Sequence, residues 1–106
     1  SSAEVAARVV RAREIQRKRF EGEEGGVFCN SGMNNRQIEK YCPLSPSCKA
    51  ILEHIIERMG LSARACYRMI KLARTIADLA GCTDIEPRHL SEAAGYRFLD
   101  KQNIFD

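Results

Sequence analysis

Residues 60–81 read GLSARACYRMIKLARTIADLAG, and this stretch predicts a helix with start and stop signals of its own. Ser62 is a typical N-cap residue, and Gly81 is typical of the position that follows a helix. Apolar residues recur between them every three or four positions, which is the period of an amphipathic helix. The apolar face, which we expect in the core, consists of Cys66, Met69, Ile70, Ala73, Ile76, Ala77 and Ala80.

The polar side of the same helix carries two kinds of feature. Arg74 and Asp78 stand four residues apart, so we expect them to form a weak pair at the surface. A separate line of polar residues consists of Arg64, Arg68, Lys71 and Thr75.

Two more helices are predicted before this stretch. Ser45 followed by Pro46 is typical of a helix start, and Gly60 is typical of a left-handed helix end. The apolar stripe between them is Cys48, Ile51, Leu52, Ile55, Ile56 and Met59. Asn34 and Gln37 form the pattern of a capping box. They predict a short helix that stops before Pro43 and carries Ile38 and Tyr41 inward.

The first 29 residues predict one long helix and a linker. Val5, Val9, Ala12 and Ile15 or Gln16 recur at helical spacing, which predicts a helix over about residues 3–20. The sequence EGEEGG at 21–26 has no such period, so we expect a flexible linker between this helix and the rest. Residues 27–29 are β-prone but too few for a sheet, and they admit at most a very short β pairing.

The C-terminal part predicts a last helix. Pro87 is suited to the first helical position, and the helix should run through about Leu99. Its inward residues should be Leu90, Ala93, Ala94 and Phe98, and we expect residues 101–106 to be loosely held. The fold class is therefore all-α, a small helical bundle with one long N-terminal helix.

Length and composition agree with one compact domain over residues 1–106. The chain has 106 residues, of which 44% are hydrophobic and 29% charged, as in ordinary globular proteins. No run approaches the roughly 20 apolar residues that cross a bilayer, so we expect no membrane association. Because the first residue is serine rather than methionine, we expect the chain to be a fragment of a longer protein.

The five cysteines predict reduced thiols in a cytosolic protein rather than a disulfide framework. Their number is odd and no CxxC pair occurs. Zinc is disfavoured because Cys42, Cys48 and His54 lie six residues apart, whereas structural sites pair ligands two to four residues apart. We therefore expect no metal site.

No catalytic motif occurs in the chain. GxxxxGK[ST] and GxGxxG are absent, and the paired carboxylates Glu23 and Glu24 lie in the linker, where no geometry would be held. We expect the chain by itself to catalyse nothing. Arg64 and Arg68 lie one turn apart at a helix N-terminus, which favours a phosphate contact. The alternative interpretation is that both arginines are ordinary solvent-exposed surface residues.

The sequence also resembles the C-terminal region of magnesium chelatase-like AAA+ ATPases, the competence-protein ComM (YifB) family. The similarity spans residues 1 to about 99. It is carried by SSAEVAARVVRARE at 1–14, Cys29, Asn30 and Met33, YCPLS at 41–45, LSARACYRMIKLARTIADLAG at 61–81 and IEPRHLSEAAGYR at 85–97.

This resemblance implies an AAA+ lid domain, and with it a nucleotide. In such proteins ATP with Mg²⁺ binds between a core and its lid within a ring, expected to be hexameric. The lid supplies a sensor-2 arginine, and the position that matches it here is Arg64. Arg68 and Arg74 are further candidates for nucleotide or inter-subunit contacts. The partners implied are the core of the same chain, neighbouring subunits and DNA, since the ComM type is associated with branch migration.

Other functions remain open at this point. The lid of a true magnesium chelatase motor subunit shares the resemblance. A DNA-binding module is a second class, because the spacing around Gly60 resembles a helix-turn-helix. The basic residues of the first helix could also contact backbone phosphates, or could form a solvated face. A protein-interaction module of the same fold is a third class.

Overall fold

The computed structural model describes the backbone of residues 1–102 and the side chains of residues 1–96. This part of the chain forms five α-helices and one 3-10 turn. The helices are α1 (Ser2–Arg19), α2 (Asn35–Tyr41), α3 (Pro46–Met59), α4 (Ala63–Leu79) and α5 (Pro87–Gln102), and the 3-10 turn is Asn30–Gly32. No strand occurs within these residues, so the all-α prediction is confirmed. None of the helices described is long and apolar enough to cross a membrane.

Local caps begin and end the helices where the sequence indicates. The Asn34 side chain accepts from the Gln37 N–H at 2.9 Å, and the Gln37 side chain accepts from the Asn34 N–H at 2.9 Å. The Ser45 hydroxyl accepts from the Cys48 N–H at 3.1 Å. Gly60 ends α3 with φ 62° and ψ 43°, the left-handed conformation that a residue with a Cβ rarely adopts. The starts of α2 and α3 and the end of α3 could be predicted because these capping signals lie within a few residues of each helix end.

The core is built around α4. This helix packs against α1, the 3-10 turn, α2 and α5, while α3 packs against α5. The residues of the predicted α4 face that are fully buried are Met69, Ile70, Ala73 and Ala77. Ala80 at the end of that face is exposed. On α5 Leu90 and Ala93 are buried as predicted, whereas the Phe98 side chain and residues 103–106 lie outside the described residues.

Helix α1 packs on α4 through its C-terminal half. Ala12 and Gln16 are buried, and Phe20 follows them into the core. Val5 stays 52% exposed and Ile15 38% exposed, so the predicted inward position of Val5 was wrong. Gln16 rather than Ile15 takes the buried register because its Oε1 accepts the Asn30 N–H at 3.0 Å.

The short β pairing at residues 27–29 is absent from the described structure. Cys29 instead precedes the 3-10 turn, and Phe28 is 74% exposed. Asn30 draws the chain inward, because its side chain is almost fully buried and bonded to α4. No strand edge within residues 1–102 offers a partner to this segment.

The segment 21–26 is joined to α2 through one carboxylate. Glu23 Oε1 accepts from Gln37 Nε2 at 2.9 Å and from Arg36 at 3.2 Å. Its Oε2 accepts from the Tyr41 hydroxyl at 2.7 Å and from Lys40 at 3.1 Å. These bonds, from Gln37 first, lower the pKa of the Glu23 carboxyl from 4.5 to about 2.

A buried ion network joins α1, the 3-10 turn and α4. At its centre Asp78, which is 2% exposed, accepts two bonds from Arg19 at 2.7 and 2.8 Å. Asn30 donates to the same carboxylate at 2.8 Å, and Arg74 Nε donates at 3.2 Å. Residues 59 positions apart in sequence are thereby held together.

The expectation of a weak surface pair between Arg74 and Asp78 was wrong, because both residues are buried. Arg74 is 3% exposed, and its two terminal nitrogens donate to the carbonyls of Thr83 and Cys82, each at 3.0 Å. The guanidinium is thus occupied inside the domain, between α4 and the loop that leads to α5.

We predict that Asp78→Asn lowers the free energy of unfolding by about 3 kcal/mol, because it leaves two guanidinium groups without their counter-charge. Urea denaturation of the two proteins measures this difference. Glu14→Gln is the matched control, since it breaks an exposed ion pair with Arg17. Equal urea midpoints for the Asp78 and Glu14 variants would show that the buried network does not stabilise the fold.

Acid should weaken the Glu23 contacts. Because the folded pKa lies below the unfolded value, this carboxylate stabilises the fold fully above about pH 4.5, and the contribution disappears as pH falls towards 2. We expect Glu23→Gln to remove part of the fall in unfolding free energy across that interval. Glu24→Gln changes the neighbouring exposed carboxyl and is the control. An unchanged pH profile for Glu23→Gln would contradict the assignment.

Candidate phosphate-binding site

The start of α4 is held rigidly, and this fixes where Arg64 lies. The Gly60 and Leu61 amides both donate to the Ile56 carbonyl, at 2.9 and 3.2 Å, which closes the turn from α3. The Ser62 hydroxyl then accepts from the Ala65 N–H at 3.1 Å. Arg64 is consequently the second residue of α4, inside its first turn as predicted.

A cavity of about 490 Å³ lies beside this turn. Residues from α4 line one wall, and residues at and before α2 line the other. The lining consists of Ala63, Arg64, Tyr67, Arg68 and Lys71 on the first wall and of Met33, Asn35 and Ile38 on the second. We call it the α4 cavity. Three of its eight lining residues are cationic and none is acidic.

The cationic groups of the α4 cavity lack counter-charges within the described residues. Arg64 and Arg68 are exposed, and neither makes an ion pair or a side-chain hydrogen bond there. Lys71 donates to the Ser31 carbonyl at 3.1 Å, a neutral acceptor that leaves its charge uncompensated. The positive end of the α4 dipole adds to this charge. Phosphate oxygens are the groups that such a site binds best.

The structure separates the three predicted arginines into two groups. Arg64 and Arg68 share the α4 cavity. Arg74 lies in the buried network instead, with its donors directed at Asp78 and at loop carbonyls. Arg64 and Arg68 are therefore the two arginines placed to contact a phosphate in this cavity.

Three of the five thiols are poor candidates for a nucleophile. All five cysteines are free. Burial raises the pKa of the Cys42 thiol to about 11 and also raises that of Cys66. Cys48 donates its S–H to the Ile85 carbonyl at 3.2 Å. A protonated thiol is a poor nucleophile, so these three have a packing role.

One cluster has the side chains of a metal site, although the sequence spacing did not point to it. Ligand atoms of Cys82, Glu86 and His89 lie within 4.8 Å of one another. His89 Nδ1, however, accepts the Glu86 N–H at 2.9 Å, and Arg88 donates to both Cys82 Sγ and Glu86 Oε2 at 3.3 Å. Because a guanidinium already stands where a cation would bind, we assign no metal to this cluster.

Comparison with known protein families matches almost the whole chain. The sequence profile described as "Magnesium chelatase, subunit ChlI C-terminal" matches residues 1–97. The chain belongs to this family. The matched residues, 1–97, include those that line both walls of the α4 cavity and those that form the buried ion network.

Individual relatives extend the comparison. Over 97 residues the chain is 41% identical to competence protein ComM of Haemophilus influenzae. It is 40% identical over 101 residues to the uncharacterized protein YifB of Salmonella typhimurium and 39% identical to YifB of Escherichia coli. These alignments cover 92–95% of the chain but 18–19% of each relative, so the chain spans about a fifth of their length. No solved structure matches the chain.

Sequence reasoning missed the second wall of the cavity. Ile38 was expected in the core, and Met33 and Asn35 were given no place in the fold, because the closeness of all three to Arg64 depends on how α2 packs on α4. The exposed side of α4, by contrast, could be derived from its helical period alone.

The Ser62 cap should carry a measurable part of the stability of this site. We expect Ser62→Ala to lower the free energy of unfolding by about 1 kcal/mol, because the Ala65 N–H loses its acceptor. Ser47→Ala is the matched control, since Ser47 is exposed in the first turn of α3 and accepts no capping bond. Thermal or urea unfolding measures both variants, and equal stabilities would contradict the role given to Ser62.

Proposed function

We propose that this chain is the C-terminal lid of a magnesium chelatase-like AAA+ ATPase and that Arg64 is its sensor-2 arginine. The observation that carries the proposal is the α4 cavity, in which unpaired guanidinium groups stand at a helix N-terminus with no carboxylate among the lining residues. The chemistry of these donors fits the γ-phosphate of ATP with Mg²⁺, the cofactor that we propose for the whole protein.

In this proposal Arg64 acts by electrostatics. MgATP supplies the phosphoryl group, and the guanidinium neutralises charge that develops on its oxygens during transfer. Arg64 is suited to this because Ser62 and the Gly60 turn fix the start of α4, so the side chain is presented from a rigid helix.

Arg68 and Lys71 are proposed as supporting phosphate contacts. Both line the same cavity on successive turns of α4. Arg68 is exposed and could also reach a neighbouring subunit in a ring. Arg74 is assigned a structural role in this proposal, because its donors are engaged within the domain.

The wider role that we propose is that of a ring-shaped motor, expected to be hexameric, which acts on DNA in the cytoplasm. Similarity to a competence protein supports a DNA substrate. The exposed arginines of α1, which are Arg8, Arg11, Arg13 and Arg17, provide positive charge suited to backbone phosphates. The alternative function is that of the lid of a magnesium chelatase motor subunit, which the family description supports.

The decisive experiment compares Arg64→Ala with wild type in the longer ATPase to which we assign this lid. We expect the ATP turnover number to fall at least about tenfold while ATP is still bound, because one transition-state contact is lost. The matched control is Arg58→Ala, which removes an exposed arginine of α3 outside the cavity. Turnover that is equal in the two variants would contradict a sensor role for Arg64.

Adding branched DNA to the same assay tests the substrate. Stimulation of wild-type turnover supports a DNA motor. If DNA does not stimulate turnover, and turnover depends instead on a porphyrin-binding partner subunit, the chelatase hypothesis is favoured.

A further inference from the structure

A second cavity, of about 500 Å³, lies at the opposite end of α4 and shares no lining residue with the α4 cavity. The C-terminal half of α4 provides an apolar wall of Leu72, Ile76 and Leu79. Polar groups converge on the cavity from α1 and α5. They are Arg8, Arg88, His89, Glu92 and Tyr96. We call this the distal cavity.

His89 contributes a buried donor that the protein itself leaves unsatisfied. The residue is 3% exposed, and its Nδ1 accepts the Glu86 N–H at 2.9 Å. The neutral ring therefore carries its proton on Nε2. Within the described residues, Nε2 is the buried side-chain polar atom with no hydrogen-bond partner. Buried donors without an acceptor are uncommon, so the partner of this one is an oxygen that the chain itself does not supply, either that of a water or that of a ligand.

The ring of His89 stays neutral in this environment. Burial lowers the pKa of the imidazole, and the charge of Arg88 lowers it further. A neutral ring with its proton on Nε2 donates one hydrogen bond there, so the missing partner is an acceptor rather than a metal ion.

Two guanidinium groups border the same cavity. Arg8 is exposed and makes no ion pair within the described residues. Arg88 is 66% exposed and uses one terminal nitrogen, Nη2, for its bonds to Cys82 and Glu86. Its remaining N–H groups are available to a ligand. Glu92 is the acidic lining residue, and with it the lining still has a net positive charge.

We propose that the distal cavity binds an organic phosphate, whose phosphate group accepts from His89 Nε2–H and pairs with Arg8 and Arg88. The guanidinium fork matches phosphate oxygens. The cavity is much larger than a phosphate ion, and its apolar wall on α4 suits a ring or hydrocarbon body. This site is independent of the nucleotide contact proposed for Arg64, with which it shares no residue.

The test uses the 106-residue chain and NMR of its two histidines during titration with phenyl phosphate and with inorganic phosphate at constant ionic strength. We expect a saturable shift of the His89 imidazole signals. His54, which is exposed on α3, is the internal control and should not shift. Phenyl phosphate should bind about tenfold more tightly than inorganic phosphate, because its ring covers the apolar wall.

Variants then assign the contacts. Arg8→Gln and Arg88→Gln should each weaken phenyl phosphate binding about tenfold, the effect of losing one charge-assisted contact. Arg13→Gln removes an exposed α1 arginine outside the cavity and should leave the affinity unchanged. Arg58→Gln, which removes an exposed arginine of α3 outside both cavities, should also leave the affinity read from the His89 signals unchanged.

Three results would overturn the proposal. The first is the lack of a saturable His89 shift. The second is equal weakening by Arg13→Gln and Arg88→Gln, which would mean a diffuse charge effect. The third is equal affinity for the two probes, which would exclude an organic body on the α4 wall.

Discussion

The buried carboxylate of Asp78 is the point on which the arrangement of this domain depends. It receives bonds from Arg19 of α1, Asn30 of the 3-10 turn and Arg74 of its own helix. Removing these charges from water costs several kcal/mol for each ion, and their attraction offsets the cost only when the remaining donors are also satisfied. The carbonyls of Cys82 and Thr83 meet that condition for Arg74. Two cations are thus accommodated around one anion.

This network also shapes the candidate site, although it does not touch it. Because Asn30 is bonded to Asp78 and Thr75, the 3-10 turn lies along α4, and the Ser31 carbonyl comes within 3.1 Å of Lys71. Met33, which follows that turn, forms part of the opposite wall of the α4 cavity. The part of the opposite wall that Met33 forms is therefore positioned by the docking of this turn on α4, while Asn35 and Ile38 belong to α2, which packs on α4 directly.

The parts of this structure that could be predicted from sequence are those determined by neighbouring residues. The Asn34 and Ser45 caps, the Gly60 turn and the apolar period of α4 each depend on side chains within four positions. The first-turn position of Arg64 followed from the same signals. The contact of Arg19 with Asp78 spans 59 positions, and no local pattern indicates it. The burial of Arg74 and His89 was missed for the same reason, since a charged or polar residue on a helix is usually solvated.

Helices α1 and α4 differ in the charges at their N-termini: those of α1 favour helix stability, and those of α4 do not. Helix α1 has Glu4 in its first turn and Arg17, Lys18 and Arg19 in its last, the distribution that the helix dipole favours. Helix α4 has no acidic residue in its first turn and carries Arg64 there instead, followed by Arg68 and Lys71. Arg64 opposes the dipole, whose effect is confined to the first turn, and like charges follow it along the same side of the helix, so the arrangement lowers the stability of the domain when it stands alone. Departures from local preference of this kind concentrate at functional sites. An anion bound in the α4 cavity would reverse both unfavourable interactions, because it pairs with the cations and with the dipole together.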